Sequence, residues 1–430
     1  MSSDSESDEA ELDEAESKFQ QQLLLQGIGD DSDGLESDEE SDTDVPGPAG
    51  DAGNTDGWHD DFLYFEPPLG ELALQESCLR IKHLWTSSHC FFYHVLLEML
   101  IQQTDSYAKL QKENKPDENK MAWVRPTIQE MNAFFGLCFE MGIDRKPSTR
   151  MYWSTDSFLQ SPLHSKTMSL DRFTQIMRYL HFSDSTQQPL PGDPNLDPLY
   201  KVKPLQTHFN TAFKQEYTPN RNITVDETMI PFKGRVQFKQ YMPQKPHKWG
   251  VKAWVLADSQ NSYIQYVDIY PGKNATPQTH LGSSVVKRCL QQSDLVGKGY
   301  HLYTDNFFTS PELFSALYDN FGTYACGTVR CNRRGLPKDI MCKKPTGINE
   351  RGDMKFRQKG PIVASVWRDK KNVYTLSTIH DHSISQVKRR VNIDGTFTRQ
   401  NFDCPKAVAD YTCNMGGVDH ADQYIQYYCY

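Results

Sequence analysis

The chain has 430 residues, 37% of them hydrophobic, enough to fill a sizeable core spread over two or three domains. Its formal net charge of -10 hides two opposed parts: residues 1–61 hold 21 Asp and Glu against Lys18 alone, so the remainder carries 45 basic and 35 acidic side chains, a balance of +10. No apolar run approaches the roughly 20 residues that cross a bilayer, and ten cysteines without a CxxC pair or a secretory signal read as reduced thiols of an intracellular protein.

In chain order, Met1 to about Asp56 is dominated by Ser, Asp, Glu and Gly. Such a segment buries too little apolar surface to offset chain entropy, so residues 1–57 are expected to be a disordered acidic tail. The tail would repel DNA or compete for the basic surface of the remainder, and it offers contacts to protein partners. Phe19 to Leu25 reads either as a transient helix or as a sticky spot within it.

Order is expected from Trp58. Phe91, Phe92, Val95, Leu96 and Leu100 recur at helical spacing within Ser87–Gln102. A second helix is expected over Thr127–Met141, with Thr127 as N-cap, Glu130 completing a capping box and Gly142 ending it. A third is expected over Ser169–Phe182, ahead of the Pro-rich stretch 189–198. Residues 58–217 are thus read as a mainly α-helical unit.

The pattern then changes. Thr224–Glu227, Trp249–Ala257, Tyr263–Tyr270, Tyr300–Thr304 and Thr323–Val329 are rich in β-branched and aromatic residues, as strands prefer. Helices are expected at Pro277–Leu290 and from Thr309, where Pro311 lies in the first turn and Glu312 completes a capping box. The resulting β-β-β-α-β-α-β order over residues 218–329 is that of an α/β fold with an RNase H-like core, a mixed sheet flanked by helices. Residues 330–403 are too long for one loop and hold strand-like Pro361–Trp367 and Val373–Thr378.

Asp226 and Asp305 fall at the ends of the first and fourth core strands, where neighbouring strand ends would bring two carboxylates together. Oxygen ligands of this kind suit Mg²⁺ or Mn²⁺, and paired ions can stabilise the entering and leaving oxygens of a phosphoryl transfer. An Asp at a strand end is also a common turn former, so a third acid is required. Lys233, Arg235, Lys239, Lys245, His247 and Lys248 follow the first strand, either as phosphate contacts or as a solvated hairpin. Arg330, Arg333, Arg334 and Lys338 form a second basic run. Cys326, Cys331 and Cys342, and His380, Asp381 and His382, match no zinc-ligand spacing, and no zinc site is expected.

The segments TVDETMIPFKGR at 224–235, YTDNFFTSPEL at 303–313 and YTCNMGGVDHADQY at 411–424 resemble, in order, the three catalytic blocks of the piggyBac family of DDE/D transposases. The likeness runs from about Trp58 to Tyr430. It implies Asp226, Asp305 and Asp419 as the metal-binding catalytic triad, with Asp422 a nearby metal-site acid. It implies an insertion domain at 330–403 that contacts transposon ends, and a core end at 404–430 carrying the third Asp on or just before a helix. Gly416 and Gly417 read either as allowing a close approach of backbone to metal or DNA or as a simple turn preceding a helix.

By the same resemblance the partners are DNA at TTAA sites and a second copy of the chain, and the location is the nucleus, although the KRR run at 388–390 is short for an import signal. Family members continue past the third aspartate into a further helical half and a Cys/His-rich zinc domain, so the chain is expected to be C-terminally truncated. Metal-dependent cleavage and strand transfer, a domesticated DNA- or chromatin-binding protein, and a divalent-metal nuclease without end recognition are the three functional expectations.

Overall fold

The computed structural model describes residues 57, 58, 60, 88–114, 122–190, 193, 195–243, 245, 247–272, 280–393 and 396–427. The acidic tail and its QQQLLL stretch lie outside these residues, apart from Gly57. Trp58, where order was expected to begin, is buried among the core residues of the sheet and donates from its indole to Gly335 O at 3.1 Å.

The helical part contains α1 (Ser88–Asn114), α2 (Ile128–Ile143), a 3₁₀ turn at Thr149–Trp153, α3 (Pro162–Thr167), α4 (Leu170–Tyr179) and α5 (Lys203–Glu216). Leu97 and Ile101 of α1, Phe134 and Leu137 of α2, and Phe173 and Ile176 of α4 share one core. The capping box is present: Glu130 N donates to Thr127 Oγ1 at 3.1 Å and Thr127 N to Glu130 Oε2 at 3.2 Å.

Three expected boundaries are corrected. α1 runs on to Asn114 because a polar turn is buried there, Asp105 accepting from Trp123 Nε1 at 2.9 Å. α2 passes Gly142 and is capped by Asp144, whose N–H reaches Glu140 O at 2.8 Å. α4 stops at Tyr179 rather than Phe182.

The main sheet has nine strands: β1 (Asn222–Pro231), β2 (Lys239–Tyr241), β3 (Trp249–Asp258), β4 (Ile264–Ile269), β5 (His301–Thr304), β6 (Tyr324–Thr328), β7 (Met354–Lys359), β8 (Ile362–Arg368) and β9 (Asn372–Ser377). They lie in the order β2-β3-β1-β5-β6-β9-β8-β7, with β4 also on β3. β1, β5 and β6 run parallel, linked through α6 (Leu281–Gln292) and α7 (Pro311–Phe321). α7 is capped by Ser310, not Thr309, because Ser310 Oγ accepts from Leu313 N at 3.2 Å. β7, β8 and β9, within residues 330–403, extend the sheet beyond β6. β10 (Ile384–Ile393) and β11 (Thr396–Pro405) form a separate two-stranded ribbon, followed by α8 (Lys406–Asn414) and α9 (Gly417–Tyr427).

Strand alternation assigns the two faces. Ile223, Val225, Trp254, Leu256, Leu302 and Ala325 point toward α6 and α7. Tyr303, Cys326, Val255 and Ala257 point the other way, toward α8 and α9. The outer edge of β4 is closed by side-chain amides of α5: Gln206 Nε2 and Asn210 Nδ2 donate to Val267 O at 2.9 and 2.8 Å, and Val267 N donates back to Asn210 Oδ1 at 2.8 Å. This is a physical reason for α5 to lie where it does.

His301 opens β5 with its ring 5.2 Å from that of Tyr324. Burial, reinforced by the Arg221 charge, pushes its pKa down from 6.5 to about 4. The unfolded chain therefore takes up this proton first, and the contribution to stability is lost as pH falls from about 6.5 toward about 4. His301→Gln is expected to flatten the fall in denaturation midpoint between about pH 7 and about pH 5.

Candidate active site

Asp226 lies on β1 opposite Val255, on the sheet face that carries Thr224 and Thr228. The parallel register between β1 and β5 ends at Val225 opposite Thr304, so Asp226 and Asp305 occupy the next positions of two adjacent strands. Asp305 is held by its own turn. Its Oδ1 accepts from Phe307 N at 3.0 Å, and Thr309 Oγ1 donates to its backbone O at 2.7 Å. Gly327 on β6 makes room for that turn, since a Cβ there would lie 2.3 Å from Thr309 Oγ1 and 2.5 Å from Thr304 O.

Asp419 comes from the first turn of α9, which packs on β1 and β3. Two contacts tie the preceding chain to β1: Thr224 Oγ1 donates to Met415 O at 3.1 Å and Asn222 Nδ2 to Asn414 Oδ1 at 2.8 Å. Gly417 decides the distance of the helix from the sheet, because its Cβ would stand 2.7 Å from Thr224 Cγ2 and 2.8 Å from Asp258 O. The close approach that Gly417 serves is of α9 to the sheet, a role that neither sequence reading, an approach of backbone to metal or DNA or a simple turn, names. One turn on, Asp422 accepts a short hydrogen bond from Thr228 Oγ1.

The electrostatics follow from this convergence. Burial raises the Asp226 carboxyl well above the usual range, and the charges of Asp305 and Asp419 add to the effect. Asp305 is pushed up to about 6 by burial and by Glu227. Asp419 is raised by burial, against the pull of Lys245 and His420, and Asp422 rises to about 6 for the same first cause. Lys245, read from the sequence as a phosphate contact, turns inward: it donates to Glu227 O at 3.2 Å, and its own pKa is raised by Asp226, Glu227, Asp419 and Asp422 against its burial.

The other basic residues divide. Lys233, Arg235, Lys248, Arg330 and Arg334 are exposed. Lys239 donates to Gly234 O at 3.0 Å. Arg333 reaches back to Asn306 O and Phe307 O at 3.1 and 2.6 Å, and Arg330 reaches Asn306 Oδ1 at 3.4 Å. Asn306 thus ties the basic run to the turn that carries Asp305. Sequence reading missed Glu227, whose Oε2 pairs with Lys252 Nζ at 2.8 Å, and Thr228. The alternation of β1 was the available signal for Thr228, since residues 224, 226 and 228 share a face.

The donors fit a hard divalent cation in kind: they are all oxygen, and burial raises the pKa of each, a penalty on the charged form that a bound cation would offset. Among the described residues no group of three or more His, Cys, Asp or Glu side chains is already drawn around one point to hold a metal ion. The His380 cluster is structural, with Nε2 2.7 Å from Asp410 Oδ2 and Nδ1 2.8 Å from Ser377 Oγ. Arg389 of the KRR run is also turned in, with Nε 3.1 Å from Asp369 Oδ2.

A family model described as Transposase IS4 matches residues 89–430. PiggyBac transposable element-derived protein 3 of Homo sapiens is 31% identical over 326 residues, covering 70% of this chain and 50% of the relative. The chain belongs to the piggyBac transposase family. PiggyBac transposable element-derived protein 5 of Homo sapiens is 27% identical over 353 residues, 77% of this chain and 63% of that protein. The chain spans from about half to under two thirds of the length of these two relatives. A piggyBac transposase solved as a synaptic complex with hairpin DNA superimposes with a TM-score of 0.62 at 26% identity, over 83% of this chain and 69% of that one. The mixed sheet flanked by helices is the transposase fold of this family.

Proposed function

We propose that this piggyBac-family chain cleaves DNA and transfers strands with a divalent metal, Mg²⁺ or Mn²⁺, held by Asp226, Asp305 and Asp419 with Asp422 beside them. The observation that supports the reading most is the convergence of these acids from two adjacent parallel strands and one helix onto the same sheet face. The bound cation would polarise phosphate oxygens and lower the pKa of an attacking water or 3′-hydroxyl.

The protein's own part is positional. The Asp305 turn, the Thr228 bond to Asp422 and the Gly417 contact keep the carboxylates fixed. Lys245 offsets their mutual repulsion. Lys233, Arg235, Lys239 and Lys248 on one side, with Arg330, Arg333 and Arg334 on the other, supply phosphate contacts along the DNA backbone. Hairpin DNA is the ligand in the similar transposase, which supports DNA as the ligand of this chain; transposon ends, TTAA flanks, a paired second copy and a nuclear location are what the family resemblance implies.

The test is cleavage of a labelled TTAA-flanked DNA end in Mg²⁺ or Mn²⁺ by the wild type and by Asp305→Ala. Metal-dependent cleavage that is lost in the variant is expected; cleavage by both proteins alike would overturn the assignment. A second reading, a DNA-binding protein that keeps the fold without the chemistry, is favoured by the fact that no described acid group is already drawn around one point. Binding without cleavage by the wild type would select it.

A further inference from the structure

The far end of β1 carries a surface that the acid cluster does not use. Trp249 is 52% exposed, Tyr241 51% and Phe232 39%. They are neighbours across three strands. Tyr241 and Trp249 are direct cross-strand partners, and Phe232, one residue beyond the Pro231–Gly250 pair, donates its N–H to Trp249 O at 3.4 Å. Directly opposed residues on antiparallel strands project from the same face. The Tyr241 and Trp249 rings lie 4.8 Å apart at 46°, and Lys239 Nζ stands 5.3 Å from the Trp249 ring centre. The Phe232 ring lies against Gly234, where a Cβ would come within 2.4 Å of it.

The charge of this surface has one sign. Between Thr228 and Trp249 the sequence has no Asp or Glu, and with Lys245 turned in toward the acids, Lys233, Arg235, Lys239 and Lys248 are the cations left to this surface. An apolar protein partner would need no such excess of cations, whereas a polyanion with flat aromatic faces would use both features. Duplex DNA hides its base faces and unpaired DNA presents them. Stacking of bases on exposed sheet aromatics, with cations along the backbone, is how single strands are commonly held. Pro231 lies five residues along β1 from Asp226, about 17 Å away, so a strand passing over the acids reaches the aromatic row.

We propose that Tyr241 and Trp249 form a stacking platform for unpaired bases of the DNA strand whose phosphates pass over the acid cluster. The proposal rests on the DNA reading above and adds to it a preference for single-stranded bases at this place.

The test uses the full 430-residue chain and fluorescence anisotropy with labelled oligo(dT) and a blunt duplex of equal length, at low and high salt. Trp249→Ala and Tyr241→Ala are each expected to weaken oligo(dT) binding by ~10-fold more than duplex binding, with the difference persisting at high salt and Trp249→Phe restoring most of it. Lys239→Ala is expected instead to weaken both DNAs alike and to reduce the salt dependence. Thermal unfolding of each variant reports the fold, and Tyr241→Ala on the edge strand gives the same readout independently of Trp249. Equal effects of the aromatic variants on both DNAs, or none, overturn the platform while leaving the DNA reading in place. A changed sedimentation of DNA-free Trp249→Ala also overturns it, by showing a contact between copies. Failure of the wild type to bind either DNA sinks the parent reading as well.

Discussion

Asp305→Asn is expected to lower metal-dependent DNA cleavage by more than ~100-fold and, in chelator, to raise the melting temperature by ~1 °C. The first figure is a lower bound, because loss of even an outer partner of a metal ligand costs about 10–100-fold. The second follows from burial and crowding. Asp226, Asp305 and Asp419 share one sheet face; burial raises each carboxyl, and neighbouring negative charge adds to it, from Asp305 and Asp419 at Asp226 and from Glu227 at the other two. An acid whose folded pKa is about 6 against 3.8 unfolded binds its proton more tightly in the native state. Its contribution to stability is therefore present below about pH 4 and lost as pH rises through about 6. At neutral pH a neutral Asn of the same shape removes that penalty. About 1 kcal/mol is a discounted estimate for a half-buried group, and in a protein of this size it corresponds to a shift of the stated order. Activity and stability should thus move in opposite directions, as at a site kept strained for function. Urea or thermal unfolding with and without chelator, beside the cleavage assay, checks both.

Gly417→Ala is expected to destabilise the fold by ~1–3 kcal/mol and to reduce cleavage by ~100-fold. The added Cβ meets Thr224 Cγ2 at 2.7 Å and the Asp258 carbonyl at 2.8 Å, and the carbonyl belongs to the backbone of β3 and cannot swing aside. Overpacking of this kind costs energy, and the relief available is for α9 to move off the sheet with Asp419 in its first turn. A displacement of about 1 Å at a reacting centre costs on the order of 100-fold in rate. Gly136→Ala is the control, because nothing lies within 4 Å of its Cβ position and it sits inside α2, where Ala is favoured over Gly by about 1 kcal/mol. If Gly417 served a turn alone, both substitutions would be benign.

How far the fold was legible depended on whether the signal was local. The capping box at Thr127 and Glu130 is a four-residue pattern, and the structure forms it. The strands at 224, 249, 263, 300 and 323 announce themselves by β-branched and aromatic residues, and they pair in the expected mixed order. The end of α1 was not legible because it is held by a polar group, Asp105 receiving Trp123. α5 does offer Leu205, Phe209 and Phe213 at helical spacing, but its place on the β4 edge is set by the polar side chains Gln206 and Asn210, which that spacing does not reveal.

At the site, Asp305 falls just past the end of β5 as the sequence suggests, whereas Asp226 lies within β1, which runs on to Pro231, rather than at the expected strand end, and their adjacency comes from the β1–β5 register. Asp419 had no structural signal of its own beyond two glycines, and its position is explained by the space at Gly417. The inward turn of Lys245 and the bond from Thr228 to Asp422 depend on which face each side chain takes after the chain has folded, beyond the reach of spacing alone.

The most direct measurement of the central claim is a Mn²⁺ titration followed by electron paramagnetic resonance, comparing wild type with Asp305→Asn. The acidic tail provides weak sites in both proteins, so the difference between them carries the information. The account expects one or two tight ions in the wild type that are lost in the variant, with Mn²⁺ raising the melting temperature of the wild type alone. Identical binding curves for the two proteins would contradict it.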